Sequence, residues 1–218
     1  KKLEPTGLST LDSIKRPSTQ PIYSHQLDLT LFSHLLYFSA GITKEKEYPN
    51  GVKMFFRAAA CTGALYHIDL YLVCQDTPGL ASGVYQFSPQ DFSLKQLRLG
   101  DYLQELEYAT AGEASVVGAS AVIICADTFW RNSWKYQARA YRHSFWDSGT
   151  ILSNLLAIAS ARNIPATTIV NFVDHNVSRL LGLDPQREAP ICMVALGDSA
   201  VASGNDMLPL EGISFETE

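Results

Sequence analysis

The chain is poor in charge and has no long apolar run. Charged residues make up 18% of its 218 residues, hydrophobic residues make up 46%, and the formal net charge is −5. A surface that binds nucleic-acid phosphates normally shows a basic excess, so we predict no nucleic-acid partner. No stretch approaches the roughly 18 uninterrupted apolar residues of a membrane span, and the N-terminus lacks a basic-then-apolar signal pattern. We therefore expect a soluble cytoplasmic protein that does not enter a membrane.

The usual signatures of metal and nucleotide sites are also missing. The four cysteines are widely spaced, without a C-x-x-C pair or matching histidines, so no metal site is predicted. Cys74, Cys125 and Cys192 lie in apolar strand-like runs and are expected in the core, which favours a reducing compartment. No G-x-G-x-x-G follows a strand, and neither G-x-x-x-x-G-K nor G-x-S-x-G occurs. These absences argue against dinucleotide-binding, P-loop and α/β-hydrolase folds.

The spacing of apolar residues predicts a mixture of helices and strands. A first helix is expected from Asp28, as its N-cap, to Gly41, and the charged residues 44–53 are expected to form a surface loop. Further helices are expected over residues 102–110, 144–162 and 174–182, and strands over residues 68–74, 83–87, 121–126 and 191–196. Because these elements alternate irregularly, we predict an α+β or three-layer fold rather than a doubly wound one.

Two parts of the chain differ in composition. Residues 1–26 are polar and contain Pro5, Pro17 and Pro21, so we expect an extended N-terminal arm that could wrap a partner subunit. Residues 27–218 are expected to form one domain, because a chain of this size and apolar content can bury a large core.

A basic and aromatic segment is the most unusual local feature. Residues 134–142 contain Lys135, two arginines and two tyrosines, and they run directly into the apolar helix predicted over residues 144–162. Charge at the mouth of a buried element is costly unless an anion or a reaction uses it. Small residues recur every four positions along that helix, which favours close packing against a second copy of the chain or against the protein's own sheet. They are Gly149, Ser153, Ala157 and Ala161.

A second candidate site precedes the first predicted strand. Residues 57–64 place an arginine before a run of very small side chains. Such a run lets backbone N–H groups approach a flat polar ligand, and the arginine can hold a phosphate by a bidentate contact. The alternative is a tightly packed loop that needs small residues only because of crowding.

Several blocks together resemble the SagB-type dehydrogenases, a branch of the nitroreductase-like flavoprotein superfamily. The likeness extends from about residue 27 to residue 197. It is carried by residues 57–66 with the strand at 68–73, the segment at 83–87, Lys135-Tyr136, Arg139, Tyr141-Arg142, Asp147-Ser148-Gly149, Asn154-Leu155 and residues 180–183. The chain departs from the family pattern at five positions, with Ala60-Cys61 in place of Pro-Ser, His67 in place of proline, and Gln137 and Ala140 in place of glycines.

The resemblance implies a fold, a cofactor and a set of site residues. The fold is a nitroreductase-like three-layer α/β/α sandwich with a mainly antiparallel central sheet, and the chain forms a homodimer with FMN in a cleft at the dimer interface. The 57–64 loop lies along the flavin, and the loop at residues 165–170 borders its ring system. The implied cofactor-binding residues are Arg57, Cys61, Thr62, Gly63, Ala64, Arg139, Arg142, Ala166 and Thr167. The pair Lys135 and Tyr136 is associated with dehydrogenation of azoline rings in peptides.

The chemistry of that reaction supports the same pair. Removing two electrons from an azoline requires a proton to leave carbon, so a base must lie beside the flavin. Tyr136 is the candidate base and Lys135 its electrostatic partner or the base itself, because an ammonium group favours the phenolate. Alternatively, Lys135 pairs with a surface carboxylate and Tyr136 only packs. Adjacent residues of a regular helix or strand diverge, so both can reach one site only if the backbone there is irregular.

Three other ionisable residues have weaker assignments. His67 is a candidate acid or proton relay if the cleft opens beside it. His143 is expected to be a satisfied histidine at a helix start, with contact to FMN or to a partner chain as the alternative. Asp147 is expected to complement the dipole of the helix at residues 144–162.

Three functions are compatible with the sequence. The first is an FMN-dependent oxidoreductase that oxidises azoline rings in peptides to azoles. The second is an NAD(P)H-dependent nitroreductase-like enzyme that acts on nitro compounds or quinones. The third is a non-catalytic flavin-binding or scaffold subunit, which the altered Pro-Ser block makes plausible. The sequence identifies neither the peptide or small-molecule substrate nor the electron donor or acceptor.

Overall fold

The computed structural model describes residues 3, 4, 6–15 and 27–197. Its helices are Thr10–Lys15 (α1), Leu29–Ala40 (α2), Leu103–Ala109 (α3), Ala114–Val117 (α4), Trp130–Tyr136 (α5), Ala140–Ala161 (α6) and Asp174–Leu181 (α7). Its strands are Ile42–Glu47 (β1), Lys53–Arg57 (β2), Ile68–Cys74 (β3), Gly83–Ser88 (β4), Ser93–Leu99 (β5), Ala121–Asp127 (β6), Ala166–Ile169 (β7) and Ala189–Leu196 (β8).

Six of the strands form one antiparallel sheet in the order β5-β4-β3-β6-β8-β7. The central strands β3 and β6 are apolar on both faces, so the sheet must be covered on both sides. Side chains of β3 alternate as predicted, with Leu70 and Leu72 in one core cluster and Tyr71 and Val73 in the other.

Helices on each side of the sheet complete the two clusters. Phe32 and Leu35 of α2 and Leu155 of α6 pack on one face. Leu106 of α3 and Leu180 of α7 pack on the other. The prediction of an α+β, three-layer fold with a mainly antiparallel sheet is therefore confirmed for the part of the chain that is described.

The N-terminal cap of α2 forms for the reason given by its sequence. Asp28 has extended backbone dihedral angles, and its Oδ1 accepts a hydrogen bond from the Leu31 N–H at 2.7 Å. This contact satisfies one of the free N–H groups of the first helical turn. At the other end, the Gly41 N–H donates to the Tyr37 carbonyl oxygen.

Residues 44–53, which we expected to form a surface loop, instead lie within an antiparallel hairpin of β1 and β2. The predicted turn at Pro49-Asn50-Gly51 is present and joins the two strands. The prediction of a loop was wrong because nearly all side chains of β1 are exposed, so neither face shows the apolar alternation of a half-buried strand.

Two other predictions also differ from the structure. Residues 10–15 of the expected extended arm form helix α1, because Ser13 is buried there and its carbonyl oxygen accepts a hydrogen bond from Ser160 Oγ of α6 at 2.6 Å. Residues 1, 2, 5, 16–26 and 198–218, which complete the predicted arm and domain, lie outside the described residues. Helix α6 begins at Ala140, four residues before the predicted start at position 144.

Helix α6 leaves part of its small-residue stripe open. Gly149 and Ser153 are exposed, and a Cβ atom placed on Gly149 meets no atom within 4 Å. At these two positions the helix does not pack against its own sheet, which was the alternative to a dimer contact. Within the described ranges, no helix has both the length and the apolar composition that a bilayer crossing requires.

Candidate functional site

The loop that connects β2 to β3, here called the 57–66 loop, closes on itself through Tyr66. The Arg57 N–H donates to the Tyr66 hydroxyl at 3.2 Å, and the guanidinium carbon lies 5.1 Å from the centroid of the Tyr66 ring. The Tyr66 N–H in turn donates to Cys61 Sγ at 3.1 Å. Positive φ angles at Gly63 (65°), Ala64 (54°) and Tyr66 (49°) produce the tight turn. Such angles are uncommon outside glycine and indicate a backbone held by its surroundings.

Arg57 is a partly buried cation whose charge has few compensating contacts. Its Nη1 donates to the Ile68 carbonyl oxygen at 3.2 Å, and no ion pair to it is found among the described residues. Burial lowers the pKa of the Arg57 guanidinium, against the opposing field of Asp69. The side chain lines a small recess together with Ala59, Cys61 and Asp147. An anion at this recess would supply the missing partner.

Asp147 of α6 fixes the inner side of the 57–66 loop. Its carboxylate accepts hydrogen bonds from the Thr62 N–H at 2.8 Å, from Thr62 Oγ1 at 2.9 Å and from Cys61 Sγ at 3.2 Å. The polar atoms of Cys61 and Thr62, two predicted flavin ligands, are therefore turned towards the protein. The expected role of Asp147 in complementing a helix dipole is wrong, because α6 begins seven residues earlier, at Ala140.

His67 joins Asp147 to a second buried carboxylate. The His67 ring is 0% exposed, with Nδ1 2.6 Å from Asp127 Oδ1 and Nε2 2.8 Å from Asp147 Oδ2. Burial opposes the charged imidazolium, but the hydrogen bonds to the two carboxylates prevail and raise the pKa of His67 to about 11. Ser144 Oγ donates to the other oxygen of Asp127. His67 is thus a cation between two anions with no exposed surface, and the cleft that a proton relay would need does not open beside it.

Three atoms of this cluster could in principle bind a metal ion. Cys61 Sγ, a ring nitrogen of His67 and a carboxylate oxygen of Asp147 lie within 4.8 Å of one another. Each already has a hydrogen-bond partner, and the short contact between His67 and Asp147 accommodates a proton. The geometry is that of a hydrogen-bonded charge network.

Lys135 and Tyr136 reach the outer side of the same loop. A Cβ atom built on Gly63 would lie 2.5 Å from the Tyr136 hydroxyl oxygen and 3.3 Å from Lys135 Nζ. Lys135 Nζ is also 5.3 Å from the centroid of the Tyr136 ring. Helix α5 ends at Tyr136, and Gln137 has a φ angle of 50°. This break in the helix is the irregular backbone that the pairing of adjacent side chains required.

Behind Tyr136 lies a buried histidine that the sequence assigned only weakly. The ring of His143 meets the Tyr136 ring edge-on at 4.7 Å between centroids. His143 Nδ1 lies 2.8 Å from Oδ1 of the fully buried Asn132. The side chain is therefore a satisfied histidine, and it supports one face of the Tyr136 ring.

The remaining predicted residues are not joined to the loop. Arg139 and Arg142 are exposed and form no ion pair or hydrogen bond within the part of the chain that is described. Ala166 and Thr167 lie on β7, an edge strand, where the sequence indicated a loop. Neither lines the recess beside Arg57. Their flavin-binding roles remain predictions.

Comparisons with known proteins match most of the chain. The model of the Nitroreductase family matches residues 39–198. A protein of Methanocaldococcus jannaschii provisionally named a nitroreductase, MJ1384, is 24% identical over 184 residues, which are 84% of this chain and 87% of that protein. The microcin B17-processing protein McbC of Escherichia coli is 23% identical over 142 residues, which are 62% of this chain and 52% of McbC.

Solved structures with the same fold also match the chain. A protein from Anabaena variabilis, also provisionally named a nitroreductase, superimposes with a TM-score of 0.72 at 29% identity, covering 82% of this chain but 40% of that one. The E. coli microcin synthetase McbBCD complex with truncated pro-MccB17 bound gives 0.69 at 20% identity, covering 89% and 74%. A similarly named protein from Desulfovibrio desulfuricans in complex with FMN gives 0.56 at 16% identity, covering 92% of both chains. The chain belongs to the nitroreductase family, a family of flavoprotein oxidoreductases.

Proposed function

We propose that this protein is an FMN-dependent oxidoreductase of the SagB type, which oxidises azoline rings in peptides to azoles. One observation carries the proposal: the Tyr136 hydroxyl and Lys135 Nζ both lie against Gly63 of the loop that we expect to border the flavin. A base and a cation are thus placed together where substrate would meet the cofactor. The likeness to McbC, a microcin-processing protein, supports a peptide substrate.

The residues present fit a flavin phosphate and ring. Arg57 is a partly buried cation that forms no ion pair among the described residues, and the exposed guanidinium groups of Arg139 and Arg142 likewise have no partner there. Gly63 and Ala64 are exposed and carry no large side chain, so a flat ring can approach their backbone on the surface that Lys135 and Tyr136 leave open. FMN held there would supply a two-electron acceptor. The recess itself encloses only about 10 Å³, against the roughly 300–1,000 Å³ of typical small-molecule sites, so most of the binding surface must come from elsewhere.

A second copy of the chain is the proposed source of that surface. Gly149 and Ser153 of α6 are exposed and allow another backbone to come close. Five large aromatic side chains on α5 and the first half of α6 are also at least partly exposed, and aromatic residues are enriched in protein interfaces. They are Trp130, Trp134, Tyr141, Phe145 and Trp146.

The roles of the two catalytic candidates follow from their positions. Tyr136 would take the proton that leaves the substrate carbon, because its hydroxyl is the polar atom nearest the outer side of Gly63. Tyr136 would act as the phenolate and would become the neutral phenol on taking the proton. Lys135 would stabilise the phenolate before the transfer, since its ammonium group lies over the same ring. His143 and Asn132 hold the ring from behind.

A nitroreductase-like activity towards nitro compounds or quinones is the second candidate, because the family model and the M. jannaschii relative carry that name. The two functions differ in the direction of electron flow. We would first record the visible spectrum of the purified protein after incubation with FMN. A synthetic azoline peptide that loses two mass units in the presence of oxygen would support the first function. Consumption of NADH or NADPH with a nitroarene or quinone, and no change in the peptide, would support the second. A protein that takes up no FMN would contradict both.

A further inference from the structure

The 57–66 loop is anchored to the core by a buried charge network that contains neither Lys135 nor Tyr136. Asp147 spans the gap, with its carboxylate bound to Cys61 and Thr62 on one side and to His67 on the other. It is 6% exposed. Its four hydrogen bonds occupy both carboxylate oxygens.

The network beneath Asp147 keeps this carboxylate ionised and in place. Burial would favour the neutral acid, but hydrogen bonds from His67, Thr62 and Cys61 outweigh it and lower the pKa of Asp147. His67 is anchored in turn by Asp127, and Asp127 by Ser144 of α6. The anchors belong to β6, to α6 and to the residue before β3, so the carboxylate is tied to the centre of the fold.

The hydrogen bonds to Asp147 determine which side of the loop is available to a ligand. The Thr62 N–H, the Thr62 hydroxyl and the Cys61 thiol point inward to Asp147, and Gly63 faces Lys135 and Tyr136. A loop whose own polar groups are satisfied keeps one shape whether or not a ligand is bound. A ligand that binds a preformed loop pays less ordering entropy than one that must fold it.

We propose that Asp147 is a positioning residue that presets the 57–66 loop and thereby determines how tightly the protein binds FMN. The inference rests on the proposed function and extends it to a residue that contacts the cofactor only through the loop. Ala60-Cys61 stands where the family usually has Pro-Ser, so proline does not restrict the loop backbone here, and the loop depends on its hydrogen bonds to Asp147. Thr150 Oγ1, one helical turn further along α6, adds a hydrogen bond to the Ala60 carbonyl oxygen at 2.8 Å.

The test is a titration of the apoprotein with FMN, in which binding is monitored by the quenching of flavin fluorescence. Asp147→Asn keeps the shape of the side chain but replaces one acceptor oxygen with a donor, so we expect the Kd for FMN to rise by about 10-fold or more. Thr62→Val removes one hydrogen bond to Asp147, that of the Thr62 hydroxyl, and leaves the Thr62 N–H and the His67 network intact, so a rise of about 3- to 10-fold is expected. Asp174→Asn, which removes an exposed carboxylate at the start of α7, is the matched control and should leave the Kd unchanged.

Two further readouts separate positioning from general damage. Cys61→Ala should weaken FMN binding and Cys61→Ser should restore it, because the serine hydroxyl can donate to Asp147. In apoprotein, hydrogen exchange of Asp147→Asn should accelerate in residues 58–66 and stay unchanged in β3 and β6. Saturating FMN should return the turnover of this variant to that of the wild type.

The outcomes that overturn the proposal are distinct from failure of the proposed function. Equal Kd values for wild type, Asp147→Asn and Thr62→Val would overturn the positioning role and leave the flavoprotein assignment intact. Loss of turnover in Asp147→Asn that saturating FMN does not restore, with an unchanged Kd, would overturn it as well. A wild-type protein that binds no FMN would instead contradict the proposed function, and the positioning role with it.

Discussion

The 57–66 loop and the basic segment at residues 134–142 meet at Gly63, but they differ in whether their polar side chains have partners. In the loop, the polar atoms of Cys61, Thr62 and Tyr66 all have partners within the chain. In the basic segment, Arg139 and Arg142 are exposed without partners in the described structure, and Trp134 is 69% exposed. The polar side chains of the loop are therefore satisfied within the chain, whereas the segment keeps exposed surface that can bind a ligand or a partner chain. Substitutions at the anchors of the loop should change stability and, through the loop, the affinity for FMN, whereas substitutions in the segment should change binding or turnover with little effect on stability.

The largest effect is expected where the two regions meet. Tyr136→Phe or Lys135→Met should lower azoline oxidation by about 100- to 10,000-fold, the usual contribution of a positioned acid or base. Steady-state rates and the ratio of flavin to protein absorbance measure this, and FMN content should not change. Tyr108→Phe, at an exposed tyrosine of α3, is the control. Unchanged turnover in both active-site variants with full FMN content would refute the assignment.

The second prediction concerns the interior of the loop region. His67→Gln leaves Asp127 and Asp147 buried without a cation, and should lower the free energy of unfolding by about 3–5 kcal/mol, the usual cost of breaking a buried ion pair. Urea denaturation measures this, with His175→Gln at an exposed position of α7 as the control. A loss below about 1 kcal/mol, the range of surface pairs, would show that the network is not a buried charge cluster.

The difference in unfolding free energy between wild type and His67→Gln should also change with pH, and the raised pKa of His67 fixes the direction of that change. The pKa of His67 is raised from 6.5 to about 11 in the folded protein. Its contribution to stability is therefore full below about pH 6.5 and is lost as the pH rises through about 11. The difference in unfolding free energy between wild type and His67→Gln should shrink steadily from about pH 6 to about pH 10.5. A difference that grows over this range would contradict the assignment of a buried imidazolium.

A smaller effect should appear at the contact itself. Gly63→Ala places a Cβ atom 2.5 Å from the Tyr136 hydroxyl on a residue with a φ angle of 65°. We expect a loss of about 1 kcal/mol from the backbone conformation, together with a fall in turnover as Tyr136 is displaced. Gly112→Ala is the matched control, since its φ angle is 76° and its Cβ would meet nothing within 4 Å. Equal losses of turnover in the two variants would show that the contact with Tyr136 has no role.

The smallest effect on stability should come from the basic segment. Arg139→Ala and Arg142→Ala should each change the free energy of unfolding by no more than about 0.5 kcal/mol, because neither side chain has a partner among the residues that the structure describes. Both should weaken FMN binding, and the weakening should diminish at high salt. Lys95→Ala, which removes a positive charge from β5, is the control. A loss of stability above about 1 kcal/mol would mean that the segment is part of the folded core and would remove the contrast with the loop.

Local signals in the sequence predicted the scaffold well and the centre of the site poorly. The alternation along β3 and the cap at Asp28 depend on neighbouring residues, and both are confirmed. Strand β7 was missed because its two exposed threonines at an edge lack the pattern of a buried strand. The pairing of Lys135 with Tyr136 was predicted, although the helix end that allows it was not visible in the sequence.

The charge network was missed for a different reason. His67 and Asp127 are 60 residues apart in the chain and meet because Ile68 pairs with Asp127 across two neighbouring strands. Strand register depends on packing throughout the sheet, which single-residue patterns do not encode. The available signal was an ionisable residue at the end of each of two apolar strands, and it gave no indication that the two would meet.

The different accessibility of the four cysteines allows the state of the 57–66 loop to be measured by chemical modification. Cys74, Cys125 and Cys192 are buried in the sheet, and Cys61 alone is partly accessible. An alkylating reagent should therefore modify the native chain once, beside the recess lined by Arg57. The rate of that modification would report directly, without any assay of turnover, on whether the thiol is shielded by an occupant or has been released from its carboxylate.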